Sequence, residues 1–250
     1  MRLKNFTITF EGGARAQAVR VPRSADLSTL RAALGLPSCQ GTIAVVGGAG
    51  GFDAPEYDGI RRALRDLFME LAEMAAASHL TLVDGGTASG IMQMLGEVRA
   101  SQGSRFPLVG VAPLGRITWP DRPSGEGGEV LLDANHSAFV LVESDEWGGE
   151  ADMLAETAHI LAEDRPSLEI VINGGRIARQ DTASYLRRGG QLVVIEGSGR
   201  FADKLAEALR SNRSDEPVIQ EILATKRVHL FPLNSAPGAL TNHLKNLAGW

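Results

Sequence analysis

From Thr42 onward the chain alternates short, nearly unbroken apolar runs with stretches of helical periodicity, and this alternation limits what it can fold into. Strands that are apolar on both faces belong to a parallel sheet covered by helices on each side. The runs are 42–46, 80–83, 108–112, 138–142, 168–172, 192–195 and 228–231. They predict an α/β, doubly wound, mainly parallel sheet of about seven strands. Between the first two runs, Ile60, Leu64, Leu67, Phe68, Leu71, Met74 and Ala75 recur at helical spacing, with Asp53 and Pro55 as the start signal. Further helical stripes begin at Ile91 and Phe201, lie between Gly149 and Glu163, and close the chain at Leu240, Leu244 and Leu247.

Residues 1–40 follow a different pattern. Leu3 to Phe10 and Ala16 to Val21 flank the turn Glu11-Gly12-Gly13 as a β-hairpin, and a short helix runs from Asp26 to Leu34. The reading is one domain over 1–250, with an N-terminal hairpin lobe (1–40) attached to a ligand-binding core (41–250). The connection from Leu114 to Asp133 carries Pro120, Pro123, Gly125, Gly127 and Gly128 and is expected to be a mobile loop or lid.

Composition removes several function classes. With 25 basic against 30 acidic residues and no dense Lys/Arg run, nothing is present to follow a nucleic-acid backbone. The single cysteine, Cys39, allows neither an intramolecular disulfide nor a cysteine-rich zinc site and is expected to be a small buried apolar residue. No apolar stretch is long enough to span a membrane, and Met1 to Phe10 is not a signal-peptide core, so the expected location is the cytoplasm. Met69, Leu71 and Met74 suit either the core or a face of a homo-oligomer.

Four junctions between strand and helix end in paired or spaced glycines: GGAGGF (47–52), DGGTASGIM (84–92), NGGR (173–176) and EGSGRFAD (196–203). In an open parallel sheet these turns lie at the carboxyl ends of the strands, where backbone N–H groups and helix N-termini can hold a phosphate. None matches the dinucleotide fingerprint with its later acidic residue, and none matches the P-loop. In the fourth junction Gly197, Ser198 and Gly199 offer donors, Arg200 can fork onto two phosphate oxygens and Glu196 can accept from a ribose diol. The alternative is that Glu196 and Asp203 cap the helix and Arg200 pairs with one of them. Arg176 is a second candidate cation or a solvated surface residue. Thr87 and Ser89 suit helix capping with or without a phosphate contact, and Phe52 suits base stacking or the core. Asn135 and His136, in DANHSAF, either face a ligand or build a buried hydrogen-bonded turn. The five histidines lack metal-ligand spacing, so no metal site is expected.

Taken in order, VVGGAGGF, DGGTASGIMQMLGE, VGVAPLG, LDANHSAFVLVE, VINGG and VIEGSGRFAD resemble the prokaryotic SLOG proteins related to the N-terminal region of TRPM channels. The resemblance implies a Rossmann-like fold that binds a nucleotide-derived ligand, ADP-ribose or its cyclic relatives foremost, with no further cofactor required. Carried over by position, it implies a pocket lined by Gly47, Gly48, Ala49, Gly85, Gly86, Thr87, Gly174, Gly175, Gly197, Ser198, Gly199 and Arg200. Glu150 matches the family's acidic residue after an Asp/Gly-rich turn. Leu154 stands where channel members carry an arginine. The wider superfamily includes LOG-type phosphoribohydrolases, whose PGGxGTxxE motif corresponds to Asn173–Asp181 here, without the threonine and with Gln180 or Asp181 in place of the glutamate. A glutamine cannot act as a general base, so binding is expected, with an N-glycosidase using Glu97, Asp181 or Glu196 as the alternative.

Overall fold

The computed structural model describes residues 3–49, 55–122 and 129–250. Strands β1 (Lys4–Thr9) and β2 (Arg15–Val21) form the hairpin, and α1 (Leu30–Leu34) is shorter than expected. β3 (Thr42–Gly47), α2 (Asp58–Ala77), β4 (Thr81–Asp84), α3 (Gly90–Ser101) and β5 (Leu108–Pro113) follow. The short pair β6 (Ile117–Thr118) and β7 (Val130–Leu131) leads to β8 (Ala138–Val142), α4 (Ala151–Ala162), β9 (Ser167–Ile172) and α5 (Arg176–Arg187). The chain ends with β10 (Gln191–Glu196), α6 (Arg200–Ser211), α7 (Pro217–Ala224), β11 (Val228–Pro232) and α8 (Ala239–Ala248).

All seven expected strands are present, in a nine-stranded sheet of order β1-β2-β8-β5-β4-β3-β9-β10-β11. The two additional strands are those of the hairpin. β2 pairs in parallel with β8, Gln17 opposite Ala138 through Val21 opposite Val142, so the hairpin extends the main sheet. Only β1 runs antiparallel to its neighbour.

The helices divide between the two faces. α1, α4, α5, α6 and α7 pack on one, and α2, α3 and α8 on the other. α2 presents Leu64, Leu67, Phe68, Leu71, Met74 and Ala75 to the sheet, each large side chain contributing about 1.5–3 kcal/mol by leaving water. Chain direction across the sheet reverses between β3 and β9, which are neighbours although α2, α3 and α4 separate them in sequence. Ligands of doubly wound sheets sit at the carboxyl ends of the strands beside such a reversal.

Of the expected lid, Pro123, Gly125, Gly127 and Gly128 lie outside the described residues, as do Phe52 and Asp53. The flanks of that segment are tied down. β6 and β7 pair with each other, the Leu132 N–H donates to the Thr118 carbonyl at 2.9 Å, and the Arg122 guanidinium bonds the Leu114 and Ile117 carbonyls.

Candidate functional site

A cavity of about 470 Å³ opens at the β3/β9 reversal, a volume suited to a small organic ligand. Its walls are Val45, Val46, Gly47 and Ala49 from β3 and its turn, Gly85, Thr87, Ser89 and Met92 from the β4–α3 junction, and Val111 and Val130. Trp147, Glu150 and Leu154 close it from the start of α4, and Arg176, Ile177 and Asp181 from α5. A larger open groove of about 850 Å³ lies between α2 and the β11–α8 connection, but no described residue of the four glycine junctions lines it.

Three helices begin at this cavity. Ser89, Glu150 and Gly175 are the N-cap residues of α3, α4 and α5, and none of the three caps the first turn with its own side chain. The positive ends of three helix dipoles therefore meet at one opening, with the Arg176 guanidinium among them. Ser89 does not cap α3 as expected, because its hydroxyl pairs with that of Thr87 at 3.1 Å. The close approach of the turns depends on glycine at two positions. Gly47 lies so near the Ile172 carbonyl that a Cβ would collide with it. Gly90, at φ +55°, stands against the Gly48 carbonyl in the same way.

The third and fourth glycine junctions are joined through Asn173. Its backbone N–H donates to Ser198 Oγ at 2.8 Å, its Nδ2 donates to the Ser198 carbonyl at 2.7 Å, and its Oδ1 accepts from the Gly174 N–H at 2.9 Å. Side chains added at Gly48 or Gly199 would meet the same carboxamide at 2.8 and 2.9 Å, so Asn173 is wedged between the first and fourth turns.

This clasp corrects the role expected of EGSGRFAD. Several donors of that junction are already used: Gly197 N–H on Asp203 Oδ1 at 2.7 Å, Ser198 N–H on the Ile195 carbonyl, and Ala202 N–H on the Asn173 carbonyl at 2.9 Å. Gly197, Ser198 and Gly199 do not line the cavity. Glu196 is held by Arg210 at 2.6 Å and does not line the cavity. Arg200 pairs with neither Glu196 nor Asp203. Its guanidinium lies against Gly175, 3.0 Å from where a side chain there would begin, on the flank of the α5 N-terminus. Gly48, Gly86, Gly174 and Gly175 likewise stand behind or beside the lining, shaping the turns.

His136 and Asn135 are structural. The His136 imidazole, fully buried, donates to Asp84 Oδ1 at 2.7 Å and Asp133 Oδ2 at 2.8 Å. Burial alone would lower its pKa, but the two carboxylates outweigh that and raise it to about 9. Asn135 folds onto Asp133, with N–H and Nδ2 contacts of 3.2 and 3.1 Å. The cluster braces the β4–α3 turn from behind, since Asp84 Oδ1 also accepts the Gly86 N–H at 2.8 Å. Glu97 is exposed on α3, where it receives a hydrogen bond from Gln93 and faces Arg65, outside the cavity.

Of the three carboxyl groups named for a hydrolytic alternative, Asp181 alone reaches the cavity. It is 6% exposed, and its Oδ1 has no hydrogen-bond partner among the described residues. Burial first, then the neighbouring Glu150, pushes its pKa well above the usual carboxyl range. Glu150 accepts the Gly148 N–H at 2.8 Å. Burial raises its pKa to about 7 against the opposing pull of that bond and of Arg23 and Arg176.

Trp147 and the apolar wall of Val46, Met92, Val111 and Ile177 were not read as site residues from sequence. Trp147 had a signal: it is the one aromatic side chain in the Asp/Gly-rich turn Ser144–Glu150, directly ahead of the acidic residue.

Among curated proteins, transient receptor potential cation channel subfamily M member 2 of Mus musculus is 24% identical over 201 residues, covering 66% of this chain and 13% of the channel. The protein of the same name from Rattus norvegicus is 26% identical over 218 residues, covering 73% of this chain and 14% of the channel. The chain thus corresponds to a small part of these relatives, and no described helix is long and apolar enough to cross a membrane. The family described as "SLOG in TRPM, prokaryote" matches residues 40–241. By that match over most of its length, the chain belongs to this family of prokaryotic SLOG domains.

Proposed function

We propose that the protein binds a nucleotide-derived ligand, ADP-ribose, a cyclic ADP-ribose-like compound or another adenine nucleotide, in the cavity at the β3/β9 reversal. The observation that carries this reading is the convergence of three helix N-termini and Arg176 on a cavity whose remaining wall is mostly apolar, with Thr87 and Asp181 as its polar exceptions. Phosphates fit the cationic mouth, where Ser89 and Arg176 are accessible and Arg200 stands close by. A base fits the apolar interior between Val46, Met92, Val111 and Ile177, with Trp147 offering a stacking face. Membership of a family related to ion channels supports a sensing role, in which the ligand reports to another part of an assembly.

Calorimetry with ADP-ribose, cyclic ADP-ribose, AMP, ADP and ATP tests the reading. At least one should bind. Arg176→Ala and Arg200→Ala should each weaken it by about 1.5–3 kcal/mol, the contribution of a hydrogen bond to a charged group. Absence of binding across the panel would remove the proposal.

The hydrolytic alternative keeps a single candidate, Asp181, because Glu97 and Glu196 lie elsewhere. Chromatography after long incubation decides it: free base released by the wild type and not by Asp181→Asn would establish cleavage.

A further inference from the structure

The cavity has an acidic interior that a phosphate site does not require. Asp181 on α5 and Glu150 at the start of α4 both line it, and Glu169 on β9, completely buried, lies behind Asp181. None of the three forms an ion pair among the described residues. The charged groups that act on this cluster are few. Arg23 and Arg176 reach Glu150, Glu150 and Glu169 face Asp181, and the Tyr185 phenol lies near Glu169. Three adjacent carboxyl groups withdrawn from water cannot all be ionised, because like charges at short range in a poorly polarisable interior repel too strongly. Asp181 stands in the middle of the three and lines the cavity, and its occluded Oδ1 has no hydrogen-bond partner among the described residues.

Resting on the nucleotide reading above, we propose that Asp181 is the base-reading residue of the cavity, pairing as a neutral carboxyl with the amino-pyrimidine edge of an adenine ring. A neutral carboxyl presents one O–H donor beside one carbonyl acceptor. The adenine edge presents the complement, a ring nitrogen that accepts and an exocyclic amino group that donates. An ionised carboxylate would offer two acceptors and leave that ring nitrogen facing a negative charge. The position agrees with the polarity of the cavity: its buried end carries Asp181, Val45, Val46 and Leu154, and its exposed end carries Ser89 and Arg176. Glu150 and Glu169 act as positioning residues, since their proximity keeps the proton on Asp181.

The test uses AMP and ADP-ribose beside their 1,N6-etheno derivatives, in which a fused ring blocks the pairing edge while the phosphates are unchanged. Calorimetry is run on the wild type, Asp181→Leu, Asp181→Asn and Arg176→Ala. The wild type should prefer the unmodified adenine compounds about ten-fold or more, because a buried group built to pair rejects a ligand that cannot. Asp181→Leu should lose that preference. Asp181→Asn should retain it to within about three-fold, because an amide offers the same donor and acceptor side by side. Arg176→Ala should weaken both compounds equally and leave the ratio intact. Equal wild-type affinity for the two forms, an unchanged preference in Asp181→Leu, or a loss in Asp181→Asn as large as in Asp181→Leu would each overturn the proposal while leaving nucleotide binding standing. Failure of every compound to bind would remove both.

Discussion

His136 is a cation enclosed by protein, and its charge is retained because Asp84 and Asp133 bond both ring nitrogens. Removing it would leave two buried carboxylates facing each other, with Arg99 acting on Asp133 alone. Breaking a buried pair in this way costs about 3–5 kcal/mol, so His136→Ala should lower the urea midpoint severely. The pH dependence has a defined direction. The folded pKa of about 9 lies above the ordinary imidazole value of 6.5, so this contribution is complete below 6.5 and is lost as pH rises through 9. Glu150 acts in the same direction at lower pH: its carboxyl titrates near 7 in the fold against 4.5 ordinarily, so folding is favoured below 4.5 and loses that advantage as pH rises through 7. In urea unfolding from pH 5 to 9.5, the stability difference between wild type and Glu150→Gln should change around neutrality, and that between wild type and His136→Gln around pH 9, each shrinking as pH rises. A difference that grew with pH would contradict the assignment.

At the scale of elements, the clasp between the β9 and β10 turns makes a separate prediction. Asn173→Ala removes the donor to the Ser198 carbonyl and the acceptor of the Gly174 N–H. An unsatisfied buried group costs about 1–3 kcal/mol, visible as a lowered urea midpoint, and nucleotide affinity should fall because the α5 N-terminus loses its alignment. The elements differ in how plainly the sequence announces them. The seven core strands are legible because burial on both faces demands unbroken apolar runs. α5 is harder to see: its buried side mixes Ala178, Ala183, Tyr185 and Leu186 with Asp181, Thr182 and Ser184, which thins the apolar stripe, since it covers a cavity and an acidic cluster. α7 is a short helix begun by Pro217, with Ile219 and Ile222 as its buried residues, too brief for periodicity to register. For the site, glycine spacing identified the turns around Gly47, Gly85 and Gly175. It could not separate turns that open to a ligand from one drawn against the neighbouring turn, because that depends on the cross-chain bonds from Asn173 to Ser198.

For the molecule as a whole, a ligand that binds only the folded state should raise its melting temperature. At a concentration 100 times its Kd the gain is about 2.7 kcal/mol, which for a chain of this size corresponds to roughly 2–4 °C per kcal/mol. Differential scanning fluorimetry with the nucleotide panel should therefore show a shift of several degrees for a true ligand and no more than about half of it in Arg176→Ala at the same concentration. The parallel partnership of β2 with β8 has a practical bearing on how this protein is prepared. The family match begins at residue 40, and an expression boundary chosen there would discard both hairpin strands. β8, whose five residues Ala138 to Val142 are all buried, would become a naked sheet margin with open peptide groups along its length. Such margins recruit one another, so a fragment cut at that boundary should leave a sizing column in the void volume, whereas the full chain elutes as a discrete species.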